Sequence, residues 1–201
     1  MSGYNISNED GTALVRTARK IVTEFVKYGR RLELDEESKK RFDFESGIFV
    51  TLNLADELRG CIGFTLPTKI SQALPDAAIA AATQDPRFLP VRESELDKIT
   101  FEVTVLTPPR RLKVDDPMQI PSKIKIGRDG LIIKRDYHSG LLLPQVPKEY
   151  RWNEIEFLDH TCQKAGLPPG CWMEKDAQIF TFEGIIFKEE SPGGNVVRVI
   201  L

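Results

Sequence analysis

The sequence predicts an α+β fold, mainly an antiparallel sheet flanked by helices. Apolar residues recur at period two in several runs bounded by turn signals, and the helical segments are grouped between those runs. No Gly-x-Gly-x-x-Gly or Walker sequence follows a strand, so nothing points to the βαβ alternation of a dinucleotide fold. The 201 residues suffice for one domain, or one domain with a small second lobe. With 41% apolar and 29% charged residues, the chain can fill a core and remain soluble.

The elements follow in order. Ser7 or Asn8 suits the cap of a first helix, with Glu9 and Asp10 at its positive end. Leu14, Ala18, Ile21, Val22 and Phe25 then recur at helical spacing, and Gly29 supplies the stop. The charged stretch from Glu33 to Arg41 reads as a solvated connection. Ile48, Val50, Leu52 and Leu54 share one face of a strand, and Ala55-Asp56-Glu57 turns into a return strand over 58–64. The Ala-rich segment from Ile70 to Thr83 predicts a closely packed helix that either starts at Pro75 or kinks there. Ile99, Phe101, Val103 and Val105 mark another strand, closed by Thr107-Pro108-Pro109.

From 110 to 150 the composition shifts toward Pro, Lys, Arg and Gly. Runs at 124–127 and 131–134 flank Arg128-Asp129-Gly130, which reads as a hairpin turn. Leu141-Leu142-Leu143 reads as a short buried strand or loop. Trp152 to Ala165 predicts a helix stopped by Gly166, and Gln178 to Lys188 a last strand, apolar on both faces and therefore central. Pro192-Gly193-Gly194 is a turn before a short apolar end.

Composition excludes several functions. A formal charge of −2 argues against bulk attraction to nucleic acid or anionic membrane. The first residues lack an apolar leader, Gly stands at position 3 rather than 2, and no stretch is long enough to span a bilayer, so the expectation is a cytoplasmic protein without membrane attachment. Three Cys are too few for a disulfide framework and suggest a reducing interior. The spacing of His160, Cys162 and Cys171 lacks a paired zinc signature, so no metal or cofactor is expected; Cys162 reads as a core residue and Cys171 stays undecided.

One segment carries chemistry. In Leu58-Arg59-Gly60-Cys61-Ile62-Gly63, strand alternation puts Arg59, Cys61 and Gly63 on one face and leaves Leu58, Ile62 and Phe64 as core anchors. A guanidinium beside Cys61 favours its thiolate, and Gly60 and Gly63 allow a ligand or another backbone to come close. These features suit a nucleophile; they also suit a small core Cys on a bulged strand. His138, in a loop, and Glu149 are candidate proton carriers for Cys61; Gln145 is a further polar candidate. The alternative reading makes His138 a solvated loop residue, and Glu149 and Gln145 helix-entry residues. Arg87, in the Pro-bracketed loop Asp85-Pro86-Arg87-Phe88-Leu89-Pro90, either binds an anionic ligand or ties its loop to a carboxylate. The basic surplus from Arg110 to Arg135 is punctuated by acids and reads as a solvated face, which leaves nucleic-acid binding the weakest reading.

These residues together resemble the AMMECR domain family. Leu-Arg-Gly-Cys-Ile-Gly at 58–63 is that family's hallmark. The likeness continues through Asp85-Pro86-Arg87-Phe88, the strand from Phe101 to Thr107, Asp129-Gly130-Leu131, 139–146, Trp152, Cys162, 164–167 and Trp172. It spans residues 10 to 190, with Leu89 standing where a second Pro is frequent. The resemblance implies a larger α+β domain built from both chain ends (1–109 and 151–201) and a smaller inserted β-rich lobe (110–150). It also implies a Memo-like or radical-SAM partner. Two functions from different classes follow: a thiol-dependent enzyme acting at Cys61 on a small or protein-borne substrate, and a non-catalytic protein- or ligand-binding module using the same site.

Overall fold

The computed structural model describes residues 6–199; the reading of the first three residues and the last two positions lie outside it. The chain is α+β, its strands pairing antiparallel, and it divides into two units. The first runs through Leu106 and resumes at Ile185; the second is Thr107–Gly184. The division differs from the expected one: 151–184 group with 107–150, because Phe157, Leu158, Cys162 and Trp172 share a core with Leu131 and Ile133.

In the first unit, α1 (Asn8–Tyr28) is capped where expected. Ser7 Oγ accepts from Asp10 N at 3.0 Å, and Gly29, at φ 66°, ends the helix with its N–H on Phe25 O. The stretch read as a connection contains a short helix, α2 (Glu36–Arg41), because Asp35 caps it through Ser38 N. β1 (Glu45–Leu54) and β2 (Glu57–Lys69) form the expected hairpin. α3 (Ile70–Thr83) begins five residues before Pro75. Its first turn is held from outside, Ile70 N and Ser71 N donating to Phe44 O and Phe42 O, so the proline need not start the helix. β3 (Ile99–Leu106) pairs with β1, giving the order β2-β1-β3, and β3 continues to the C-terminal part of a long strand, β7 (Gln178–Glu189). β8 (Val196–Val199) pairs with β7 at 186–189.

Helices α1 and α3 bury Leu14, Ile21, Leu74 and Ala78 against Ile48, Val50, Leu52, Phe101 and Val103 on one sheet face. Glu189 is fully buried and is repaid by partners. Arg19 meets it through Nε (2.7 Å) and Nη2 (2.5 Å), Phe101 N donates to it at 3.0 Å, and Arg19 also binds Leu96 O and Ile99 O. A buried charge persists only with such pairing.

The second unit holds β4 (Arg110–Arg111), β5 (Asp129–Arg135), β6 (His138–Leu142) and β7 residues 178–183, ordered β4-β7-β5-β6. Its helices are α4 (Val146–Glu149) and α5 (Glu154–Lys164). The hairpin expected around Asp129-Gly130 is one element late. Residues 124–127 form no strand, because the buried Asp129 carboxylate accepts from Lys125 N and from Arg128 Nε and Nη2, closing a turn there. The actual hairpin joins β5 to β6 through Asp136-Tyr137, with Asp136 at φ 52°.

The expectation that no disulfide forms is also overturned: Cys162 and Cys171 are bonded. An odd count argues against a framework of bridges, not against one. Here Leu167 N returns to Cys162 O, and Asp159 Oδ1 accepts from Gly170 N (2.7 Å) and Trp172 Nε1 (2.9 Å), which folds 166–170 back and brings Cys171 to the end of α5.

Candidate functional site

β2 lies at the edge of the first unit's sheet. Its register explains where each motif residue goes. Gly60 pairs with Leu52 and Leu58 with Asn53, so Arg59 is the extra residue of a bulge. The bulge undoes the expected alternation. Leu58 sits opposite Asn53, on the face of Cys61, and is exposed; Phe64 is exposed as well, and Ile62 alone of the three expected anchors packs on the core. Arg59 turns to Glu95, Nε–Oε1 2.8 Å and Nη2–Oε2 3.1 Å.

Both glycines answer to backbone. A Cβ on Gly60 would lie 2.1 Å from Ala81 O, where α3 crosses the strand, and one on Gly63 would meet Ile48 O at 2.2 Å and the Phe49 ring. The loop after α3 closes over the free edge of β2. Asp85, buried, accepts from Cys61 N at 2.8 Å and holds Arg87 through Nε (3.0 Å) and Nη2 (2.7 Å); Arg87 Nη2 also donates to Cys61 O at 3.5 Å. Arg87 thus makes the carboxylate tie that was one of its two sequence readings. The hydrogen bonds from Arg87 and from the Cys61 and Arg87 backbones hold the Asp85 carboxyl far below the usual carboxylate range. The Phe88 ring centre lies 5.9 Å from the guanidinium of Arg59 and 5.5 Å from that of Arg87.

Cys61 is the free thiol and is half-buried. Burial pushes its pKa up from the ordinary value. Hydrogen bonding by Thr51 and the charge of Arg87 work in the other direction, and Glu102 and Asp85 add to the rise. The expectation that a neighbouring arginine leaves a thiolate at rest is therefore corrected: Arg59 is spent on Glu95, and desolvation wins.

Two residues of the site escaped the sequence. Thr51 stands directly opposite Cys61 and donates from Oγ1 to Sγ at 3.2 Å; Glu102 stands opposite Thr51 on the next strand. Directly paired residues share a face, so Cys61, Thr51 and Glu102 form a row on the sheet face that α1 and α3 do not cover. Burial pushes the Glu102 carboxyl up, and Lys188 of β7 opposes that shift. The polar positions of β1 and β3, alternating with buried Val50, Leu52, Phe101 and Val103, were the available signal.

Arg59, Gly60, Cys61, Gly63 and Arg87 thus come together in the first unit. His138, Gln145 and Glu149 lie in the second. His138 is not in a loop: it opens β6, is exposed, and donates from Nδ1 to Ala165 O at 3.2 Å. Gln145 precedes α4 and its carbonyl accepts from Glu149 N. The Trp152 ring stacks on His160, and Cys162 is bonded to Cys171. Among the basic residues, Arg128 pairs with Asp129 and Arg135 with Asp176. Among the described residues no helix is long and apolar enough to cross a membrane.

A model of the AMMECR1 family matches residues 15–187. A protein of Thermococcus onnurineus is 51% identical over 201 residues, covering 97% of this chain and 98% of the relative. One of Methanocella arvoryzae is 50% identical, covering 96% and 98%. The crystal structure of an uncharacterized protein from Pyrococcus horikoshii superposes with a TM-score of 0.83 at 46% identity, covering 98% of this chain and 99% of that one.

Proposed function

The chain belongs to the AMMECR1 family, and from that premise we propose that it is a thiol-dependent enzyme whose working group is Cys61. The observation that carries this reading is the row Cys61–Thr51–Glu102. A free thiol, a hydroxyl donor 3.2 Å from its sulfur and a desolvated carboxyl share one half-buried face. Thr51 favours the sulfur anion as it forms, Arg87 adds a compensating charge, and the proton leaves during the reaction rather than before it. The reaction class is displacement. Sulfur forms a bond to an electrophilic centre of a small or protein-borne substrate, the leaving group departs with its electron pair, and the thiol proton passes to solvent. Exposed Leu58, on the same face, offers the substrate an apolar contact. A Memo-like or radical-SAM protein is the partner proposed to bring a protein-borne substrate. His138, Gln145 and Glu149 are not needed for this reading.

Incubation with cell extract followed by intact mass measurement should show an adduct on the wild type that Cys61→Ser lacks. One observation favours the second reading, a binding module: Arg59 and Arg87 are committed to carboxylates and both glycines to packing. No adduct on the wild type, with a folded Cys61→Ser that still captures the same partner, would make the chain that module.

A further inference from the structure

The chemistry proposed for Cys61 makes no use of the Cys162–Cys171 bond, which lies in the second unit. Cys162 stands in the last turn of α5, and Cys171 opens the single helical turn Cys171–Met173. Both are buried, in the core that holds Phe157 and Trp172. Hydrogen bonds that do not involve sulfur specify where Cys171 sits. Asp159 lies one turn before Cys162 on the same side of α5, and it binds the residues on either side of Cys171. Its Oδ1 accepts from Gly170 N at 2.7 Å and from Trp172 Nε1 at 2.9 Å. Leu167 N donates to Cys162 O at 2.9 Å and Cys171 N to Pro168 O at 3.2 Å. Gly166 and Gly170, at φ 74° and 82°, supply the left-handed residues that reverse the chain.

We infer that Cys162–Cys171 is a reversible redox latch on the turn that follows α5, opened by a dithiol and closed by a disulfide oxidant while the unit stays folded, with Asp159 as its positioning residue. The turn is built by its own hydrogen bonds, so reduction leaves the two thiols facing each other and ready to rejoin. Both cysteines are buried, so a reductant reaches them only when Cys171–Met173 lifts, and lifting breaks both bonds to Asp159. The coupling is reciprocal: the turn favours the bond, and the bond holds the turn. In opening, a dithiothreitol thiolate attacks one sulfur and the other leaves as a thiolate that takes up a proton. The reagent's second thiol then displaces the mixed disulfide, so the protein gains two thiols and the reagent becomes a cyclic disulfide. In closing, one cysteine thiolate attacks glutathione disulfide and expels one glutathione thiolate, and the second cysteine expels the other.

The test follows opening by dithiothreitol and closing by glutathione disulfide on the full chain, with and without denaturing urea. Acid quenching, alkylation and peptide mass read the Cys162–Cys171 pair separately from Cys61. In the folded wild type, opening should be at least roughly tenfold slower than in urea. The reduced wild type should keep the tryptophan emission of the folded protein and should reclose faster than the chain in urea. Asp159→Ala should open roughly tenfold faster than the wild type and shift the glutathione equilibrium roughly tenfold toward the thiols. Asp159→Asn, which keeps the Oδ1 acceptor, should stay close to the wild type, a rescue that distinguishes positioning by that oxygen from mere loss of packing. Wild-type opening as fast folded as in urea, or reclosure no faster folded than in urea, overturns the latch whatever the variants do. A folded Asp159→Ala with wild-type rates and equilibrium overturns the role of Asp159.

Discussion

Asp85 sets more of the motif's geometry than the cysteine does. Its carboxylate caps the Cys61 N–H on the free edge of β2 and orients Arg87 over the same peptide. Asp85→Ala leaves that N–H without its partner, a loss of about 1–3 kcal/mol, measurable by urea unfolding at neutral pH. The pH dependence has a fixed sign. The folded-state pKa of Asp85 is depressed, so its contribution is present above the ordinary value of 3.8 and is lost as pH falls from there through the folded value. The difference between wild type and variant should close in that acid range; a variant as stable as the wild type at neutral pH would remove the clamp. Cys61 has the opposite shift. Its alkylation rate should climb through a pKa above that of an ordinary thiol, because burial outweighs Thr51 and Arg87, and a midpoint below the ordinary value would refute that balance.

At the scale of elements, what was legible depended on how local its cause was. The α1 caps and the carboxylate tie of Arg87 each follow from residues a few positions apart, whereas the start of α3 is set by Phe42 and Phe44, far from it in sequence. The face of Leu58 was not legible either, because one extra residue at Arg59 reverses everything before it, and the glycines that suit a bulged strand do not say at which residue the bulge falls. Thr51 and Glu102 were unreadable as site members for a related reason: only strand register brings them to Cys61. The 129–142 hairpin was misplaced because Asp129 closes a side-chain turn where Asp-Gly suggested a backbone one. The seating of α3 on β2 gives a sharp test. Gly60→Ala places a Cβ 2.1 Å from a helix carbonyl, which side-chain rotation cannot relieve, whereas nothing lies within 4 Å of a Cβ on Gly29. Gly60→Ala should cost about 1–3 kcal/mol through displaced packing, and Gly29→Ala ~1 kcal/mol through its left-handed backbone alone. A Gly60→Ala variant that melts with the wild type would show that the close approach does not restrain the helix.

Across the whole molecule, each unit has its own core and its own means of reporting on it. Both tryptophans, Trp152 and Trp172, belong to the second unit, and Trp172 is buried with the Cys162–Cys171 bond. The free thiol belongs to the first. The count of three cysteines, which suggested a reducing interior, resolves into one bonded pair in one unit and one titratable thiol in the other. The bond closes a loop between residues nine positions apart, so reduction should return roughly 3 kcal/mol of chain entropy to the unfolded second unit. Tryptophan fluorescence should therefore report unfolding at lower urea when the protein is reduced. Thiol labelling supplies the internal control, since oxidised protein offers one reactive cysteine and reduced, unfolded protein three. A fluorescence transition that does not move while the labelling count rises from one to three would mean that packing around Phe157 and Trp172 holds the second unit without the bond.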